Sequence, residues 1–255
     1  LQSAAIESIS VGGAHPLRDE CPEMSTIKPT GTSGFFRMQV DSDGRVVGSF
    51  EQIQFSAEKA AIEARIVDGF LASMNIHLKE GAGKFFLENP RSNSQNDFDF
   101  TICTPRGPAY LELMEIAPLT GPYAEAPSKY RLYDLAKSIL LGVLEKSNRY
   151  PKDAGQPIFL LLYVTHWAFG LSGRTIACLR YWLRAQPTNF GAVFAYEPID
   201  QSEGLPHWLY PVPPELIGFF DPEQFREYVC LNLNPKKWQV GIGAIAGDHG
   251  NPVAS

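Results

Sequence analysis

The sequence predicts an α/β fold of α+β character: a central mixed β-sheet flanked by helices, with an N-terminal hairpin and a C-terminal extension. Three observations predict it. Asn96 to Ile116 holds two stretches that alternate with period two about a turn, the pattern of a half-buried hairpin. Pro157 to Thr165 is a nearly unbroken apolar run of strand length, as expected of a central strand covered on both faces. That run, a helix from about Ser172 to Ala185 and a short apolar segment from Gly191 to Tyr196 have the spacing of a parallel strand–helix–strand crossover.

Composition narrows the class. The 255 residues suffice for one sizeable domain or two small ones, and 44% apolar with 20% charged residues is a globular composition. A net charge of −6 argues against a generally basic protein that coats nucleic acid, while leaving room for a local cationic groove. Cys21, Cys103, Cys178 and Cys230 are scattered without a Cys-x-x-Cys pair. That disfavours zinc and a disulfide framework and points to a reducing compartment, the cytoplasm. No apolar run approaches the ~20 residues needed to span a membrane. The chain starts at Leu1, so a removed leader stays open.

In chain order, residues 1 to about 34 are rich in Gly, Pro, Ser and Thr and read as an arm. Gly34 to Phe50 reads as a hairpin about Asp41-Ser42-Asp43-Gly44, which lacks the downstream ligands of a calcium loop and is better explained as an ordinary turn. We therefore expect an arm and hairpin over 1–50, a core over 51–200 and an extension over 201–255. Ser56 caps a helix to about Asn75, with Ile62, Ile66, Val67, Phe70, Leu71 and Met74 forming one apolar stripe. Glu63 projects near the middle of that stripe, where a carboxylate is costly unless it is paired or binds metal. Lys84 to Asn89 reads as the first core strand, joined by polar residues 90–95 to the hairpin.

With the hairpin turn centred between Arg106 and Gly107, Thr101 lies opposite Glu112 and Asp99 opposite Met114. Asp97, Asp99, Glu112 and Met114 then share one face, and Phe98, Phe100, Ile102, Leu111 and Leu113 the other. Neighbouring carboxylates repel unless a cation lies between them, and a hard divalent ion such as Mg2+ meets that need. Ser128 opens a second amphipathic helix to about Ser147, with Lys129 in its first turn near the centre of the apolar face. A lysine there opposes the helix dipole, so it either meets a negative group or reaches back to solvent. His166 ends the apolar strand. Beyond Pro198 the chain is rich in proline and aromatics, with a short helix near Pro222 to Val229.

The order is a helix with inward Glu63, a strand, a strand with Asp99, a strand with Glu112, a helix, a buried strand, a helix and a strand. From Gln54 to Tyr196 this resembles the PD-(D/E)xK nuclease superfamily and its restriction-endonuclease-like fold. The resemblance implies that Glu63, Asp99 and Glu112 are catalytic metal ligands for Mg2+ or Mn2+. It implies a metal-dependent nuclease hydrolysing phosphodiester bonds, with nucleic acid, DNA by family analogy, as partner. It also leaves a homodimer open. The sequence departs at Glu112-Leu113-Met114, because Met stands where the family has Lys and can neither carry charge nor donate a strong hydrogen bond. Either the lysine has migrated to the following helix, with Lys129 as the catalytic candidate, or the fold serves an inactive protein that binds nucleic acid or a protein partner. A third reading is an unrelated α/β enzyme or oligomeric structural protein with its carboxylates in ordinary ion pairs.

Overall fold

A computed structural model describes residues 33–40, 42, 46–80, 87–93, 98–117, 127–151, 153–201, 203–212, 220–232 and 241–242. In chain order its elements are β1 (Gly34–Val40), β2 (Val46–Gln52), α1 (Lys59–Glu80), β3 (Glu88–Ser92), β4 (Phe100–Thr104) and β5 (Gly107–Glu115). There follow β6 (Lys129–Arg131), α2 (Leu132–Asn148), β7 (Ile158–Tyr163), α3 (Gly173–Ala185), β8 (Ala192–Pro198), β9 (Gly204–Tyr210), β10 (Val229–Leu231) and β11 (Gly241–Ile242).

The central sheet has six strands in the order β3-β4-β5-β7-β8-β9. β5, β7 and β8 run parallel, while β3-β4-β5 and β8-β9 pair antiparallel. This is the mixed, helix-flanked sheet expected from the sequence. β7 lies centrally with all six residues buried, because its continuous apolar run has to meet a helical layer on each face. The stripe of α1 packs on the odd-numbered side chains Leu111, Leu113, Phe159 and Leu161. Ile139 and Val143 of α2 and Ile176, Leu179 and Leu183 of α3 cover the even-numbered Ile158, Leu160 and Leu162. Fully burying each such side chain contributes about 1.5–3 kcal/mol. Gly69 lets α1 approach this closely, since any Cβ there would strike the Tyr196 hydroxyl.

Several boundaries differ from expectation. α1 begins at Lys59, and Ser56 instead closes a turn before it, accepting the Glu58 N–H at 3.1 Å. β3 covers Glu88–Ser92, overlapping the residues read as a linker. As an edge strand it tolerates Pro90, a register shift between Glu88 and Arg91, and Asn89 at φ 53°, which together erase any period-two signal. Residues 84–86 lie outside the described residues, as do most of the 41–45 turn, the 1–32 arm and 94–97, which include Asp97. The expected second helix starts three residues late. Lys129–Arg131 form β6, paired with β10, and the Leu132 N–H opening α2 is taken by Tyr228 C=O at 3.0 Å. α3 covers Gly173–Ala185, within a residue of the expected helix, and Ser172 caps it, its side chain accepting from Thr175 N. The segment beyond residue 200 contributes β9 to the central sheet, and only a 3-10 turn, Pro222–Phe225, stands where a short helix was expected. β11 adds a third strand to the β1–β2 hairpin. No helix among the described residues is long and apolar enough to cross a membrane.

The β4–β5 hairpin turns on Pro105-Arg106, with Gly107 at φ 115° closing it. Phe100 therefore pairs with Leu111 and Thr101 with Tyr110, a register two residues away from the expected one. A shift of two keeps every side chain on its face, and it brings Asp99 level with Glu112 instead of Met114.

Candidate active site

Beyond the Phe100–Leu111 pair, β4 ends and β5 continues. Even-numbered N–H groups of β5 point to β7, as Tyr110 N does to Pro157 O (2.9 Å) and Ile116 N to Tyr163 O (2.7 Å). The main-chain groups of Leu113 therefore face the side that β4 has vacated. Two side chains take them. Asp99 Oδ2 accepts the Leu113 N–H at 2.8 Å, and Lys146 Nζ donates to the Leu113 C=O at 3.0 Å. Peptide groups that a sheet would otherwise pair are used to fix a carboxylate and an ammonium beside each other.

Glu112 is 2% exposed, and Lys146 Nζ stands 2.8 Å from its Oε2. Its Oε1 is buried without a hydrogen-bond partner. Burial pushes the Glu112 carboxyl above its ordinary value, Lys146 draws it back, and Asp99 pushes it up again. Tyr150, just past the end of α2, directs its hydroxyl at the same carboxylate. Burial, then Glu112, holds that hydroxyl protonated well above its ordinary range.

On the opposite face α1 supplies Glu63, whose side chain is 14% exposed and lies 3.3 Å from Lys59 Nζ. Burial raises the Glu63 carboxyl, Lys59 lowers it, and Asp99 raises it. The buried Tyr163 hydroxyl is pushed far up by burial and by Glu115, Glu63 and Asp99 around it. Glu115 in turn accepts from the Thr165 hydroxyl. Asp99 thus acts on both sides of the sheet: Glu112 and Tyr150 on the α2 side, Glu63 and Tyr163 on the α1 side.

The structure brings Asp99 and Glu112 together, and Asp99 and Lys146 both act electrostatically on Glu63. The split across the sheet explains why, among the described residues, no group of three or more His, Cys, Asp and Glu side chains is placed to hold one metal ion. Lys129 is not in the site. It is an exposed residue of β6, separated from Lys146 by nearly all of α2, roughly 20 Å of helix. The helix lysine that reaches Glu112 is Lys146, and periodicity carries its signal. It continues the buried series Leu132, Ala136, Ile139 and Val143 at helical spacing, in the last turn, where a cation suits the helix dipole. Met114 is half-buried and shares the α2 face with Glu112. His166 lies elsewhere and is structural: its Nδ1 accepts from Ala168 N at 3.1 Å, and burial lowers its pKa to about 4.

No protein-family model matches the chain, and no curated protein matches it. Among solved structures it is similar to SfsA of Pyrococcus furiosus, determined in complex with Ca2+, at 14% identity over 65% of this chain and 77% of that one, with a TM-score of 0.26. A likeness that loose carries no weight for fold or chemistry. The class is set by this chain's own sheet: a mixed α/β protein with a charged cluster where two strands diverge.

Proposed function

We propose that the protein is a metal-dependent nuclease of the PD-(D/E)xK kind, hydrolysing phosphodiester bonds in nucleic acid, with DNA as the substrate by family analogy. The observation that carries this reading is the arrangement about Leu113. Asp99 holds its N–H, Lys146 holds its C=O, and Lys146 also meets Glu112, so a lysine from α2 stands in for the one that Met114 replaces.

The residues fit a hard divalent cation, Mg2+ or Mn2+. Glu112 Oε1 is a buried oxygen without a partner, and Asp99 is a second carboxylate close enough to raise the Glu112 pKa. Mg2+ is commonly held by one or two carboxylates, with waters and substrate phosphate completing its shell, so three clustered ligands are not required. Asp99 and Glu112 would hold it, with Glu63 acting from the α1 side. Such an ion supplies Lewis acidity, which polarises a phosphate and lowers the pKa of bound water. The chain's own groups do the rest. Leu113 N–H fixes the Asp99 carboxylate in place, so no reorientation is needed at the moment of reaction. Lys146 stabilises negative charge that grows on the reacting phosphate and orients the attacking water. The Tyr150 hydroxyl, kept protonated, is a second donor on the same side.

A non-catalytic nucleic-acid binder is the second reading, favoured by one observation: Lys146 already neutralises Glu112 within the protein. Plasmid nicking with Mg2+ or Mn2+ separates the two. The nuclease reading expects cleavage by wild type and a loss of about 10²–10³ in rate for Asp99→Asn. Equal cleavage by both, or no cleavage of any DNA or RNA by wild type, contradicts it.

A further inference from the structure

A pocket of about 450 Å³ adjoins the candidate active site, lined by Phe98, Tyr110, Arg149, Tyr150, Pro151 and Ala154. Its walls are unlike the rest of the core. Phe98 lies flat on Tyr110, with centroids 4.1 Å apart and planes 8° from parallel, and stacks on Tyr150 at 5.2 Å and 24°. Phe98 is in face contact with both tyrosines, so the three half-buried rings form one near-parallel stack, and a further planar group can add at its outer face or edge. The volume falls within the roughly 300–1,000 Å³ of small-ligand sites. Arg149 stands at the same pocket with its side chain 59% exposed; it is paired with Glu145 one turn earlier, and at such exposure that ion pair is weak enough for a phosphate to compete.

Each ring is tied to the catalytic groups by chain geometry. Phe98 precedes Asp99, Tyr110 lies two residues before Glu112 on the same face, and Tyr150 directs its hydroxyl at Glu112. A group seated in this pocket is therefore next to the scissile position. We propose that the pocket holds one unpaired nucleobase flanking the scissile phosphate, so that the enzyme acts on single-stranded or frayed nucleic acid in preference to intact duplex. This deepens the nuclease reading and rests on it for the word scissile. A base paired within a duplex is covered on both faces by its neighbours and cannot reach a side pocket, whereas an unpaired base stacks on aromatic rings with little regard to sequence.

The test is binding, measured by fluorescence anisotropy in EDTA so that cleavage plays no part. The probes are end-labelled dT20 and rU20 and a blunt 20-base-pair duplex. Phe98→Leu keeps an apolar side chain and removes the ring; Tyr110→Leu does the same from the other strand and guards against a single folding failure. Wild type is expected to bind a single strand more tightly than duplex, and each variant to lose roughly tenfold on that strand with duplex binding unchanged. Tight single-strand binding that neither folded variant weakens overturns the pocket and leaves the nuclease reading standing. Ring-dependent binding by a protein that cleaves nothing with Mg2+ or Mn2+ supports the pocket and overturns the nuclease. Equal or tighter binding of duplex by wild type overturns the preference for unpaired bases.

Discussion

Glu112 and Glu197 are both carboxylates that burial pushes above their ordinary pKa, yet they are built differently. Glu197, on β8, closes on the backbone. Its Oε2 accepts the Leu171 N–H at 2.8 Å, and a Cβ on Gly170 would come within 2.9 Å of its Oε1, so the carboxylate and the loop before α3 fit each other. Glu112 closes on side chains, Lys146 and the Tyr150 hydroxyl. One oxygen meets a lysine that is itself shared with Leu113 C=O, the other has no partner, and Asp99 stands by as a like charge. A raised pKa alone therefore does not separate scaffold from site. The partner inventory does: Glu197 is met by a backbone N–H, whereas Glu112 is met by a lysine and a tyrosine hydroxyl with a like charge beside it, the arrangement on which the nuclease proposal rests.

The largest difference should appear in metal binding. Titration calorimetry with Mn2+ is expected to show a site in wild type that Glu112→Gln loses and Glu197→Gln keeps. Loss in both folded variants would erase the distinction. Stability should reverse the order. Glu197→Ala removes a hydrogen bond to a charged acceptor, typically about 1.5–3 kcal/mol. Scanning calorimetry at pH 7.5 should show a melting temperature lower by about 3–10 °C, with cleavage at the wild-type rate measured at a temperature where the variant is folded.

Smaller effects follow from the titrating groups. The Glu63 pKa stands above its ordinary value of 4.5 in the fold. Its protonated form thus stabilises the native state below that value, and the contribution is lost as pH rises through the folded pKa. Ionised Glu63 costs stability at pH 7.5, so Glu63→Gln should raise the melting temperature there by about 2 °C and have no effect at pH 4. An unchanged or lower melting temperature at pH 7.5 would mean that burial does not disfavour the ionised carboxylate at that position. His166 has the opposite sign: its pKa is lowered from 6.5 to about 4. The neutral ring contributes stability above pH 6.5 that is lost as pH falls towards 4. His166→Asn, which retains an acceptor for Ala168 N–H, should flatten the stability curve across that window by about a degree. A wild-type curve already flat there would contradict the assignment.

The sheet was legible because its signals are cooperative. Period two in β4 and β5 and the apolar run of β7 survive errors of a residue or two, and Asp99 and Glu112 share a site under either register because a shift of two preserves the face. β9 was not legible, and β3 only over Glu88 and Asn89, since edge strands carry proline and need no alternating pattern. The misplacement of Lys129 has a definite cause. Amphipathic spacing does not mark where a helix begins, and three residues of β6 pairing with β10 moved the start of α2 past that lysine. Lys146, three residues after Val143, was within reach of periodicity. That it should reach Glu112 depends on where β4 stops, which pattern alone does not reveal.

The central claim is that Lys146 has taken over from the lysine missing at Met114. It is tested most directly by metal-dependent plasmid cleavage in four proteins: wild type, Lys146→Ala, Lys129→Ala, and Lys146→Ala combined with Met114→Lys. Lys146→Ala should lose about 10²–10³ in rate. Lys129→Ala should cleave as wild type does, and the double variant should recover part of the loss, because residue 114 shares the Glu112 face. Wild-type cleavage by Lys146→Ala, or loss of cleavage in Lys129→Ala, contradicts the claim.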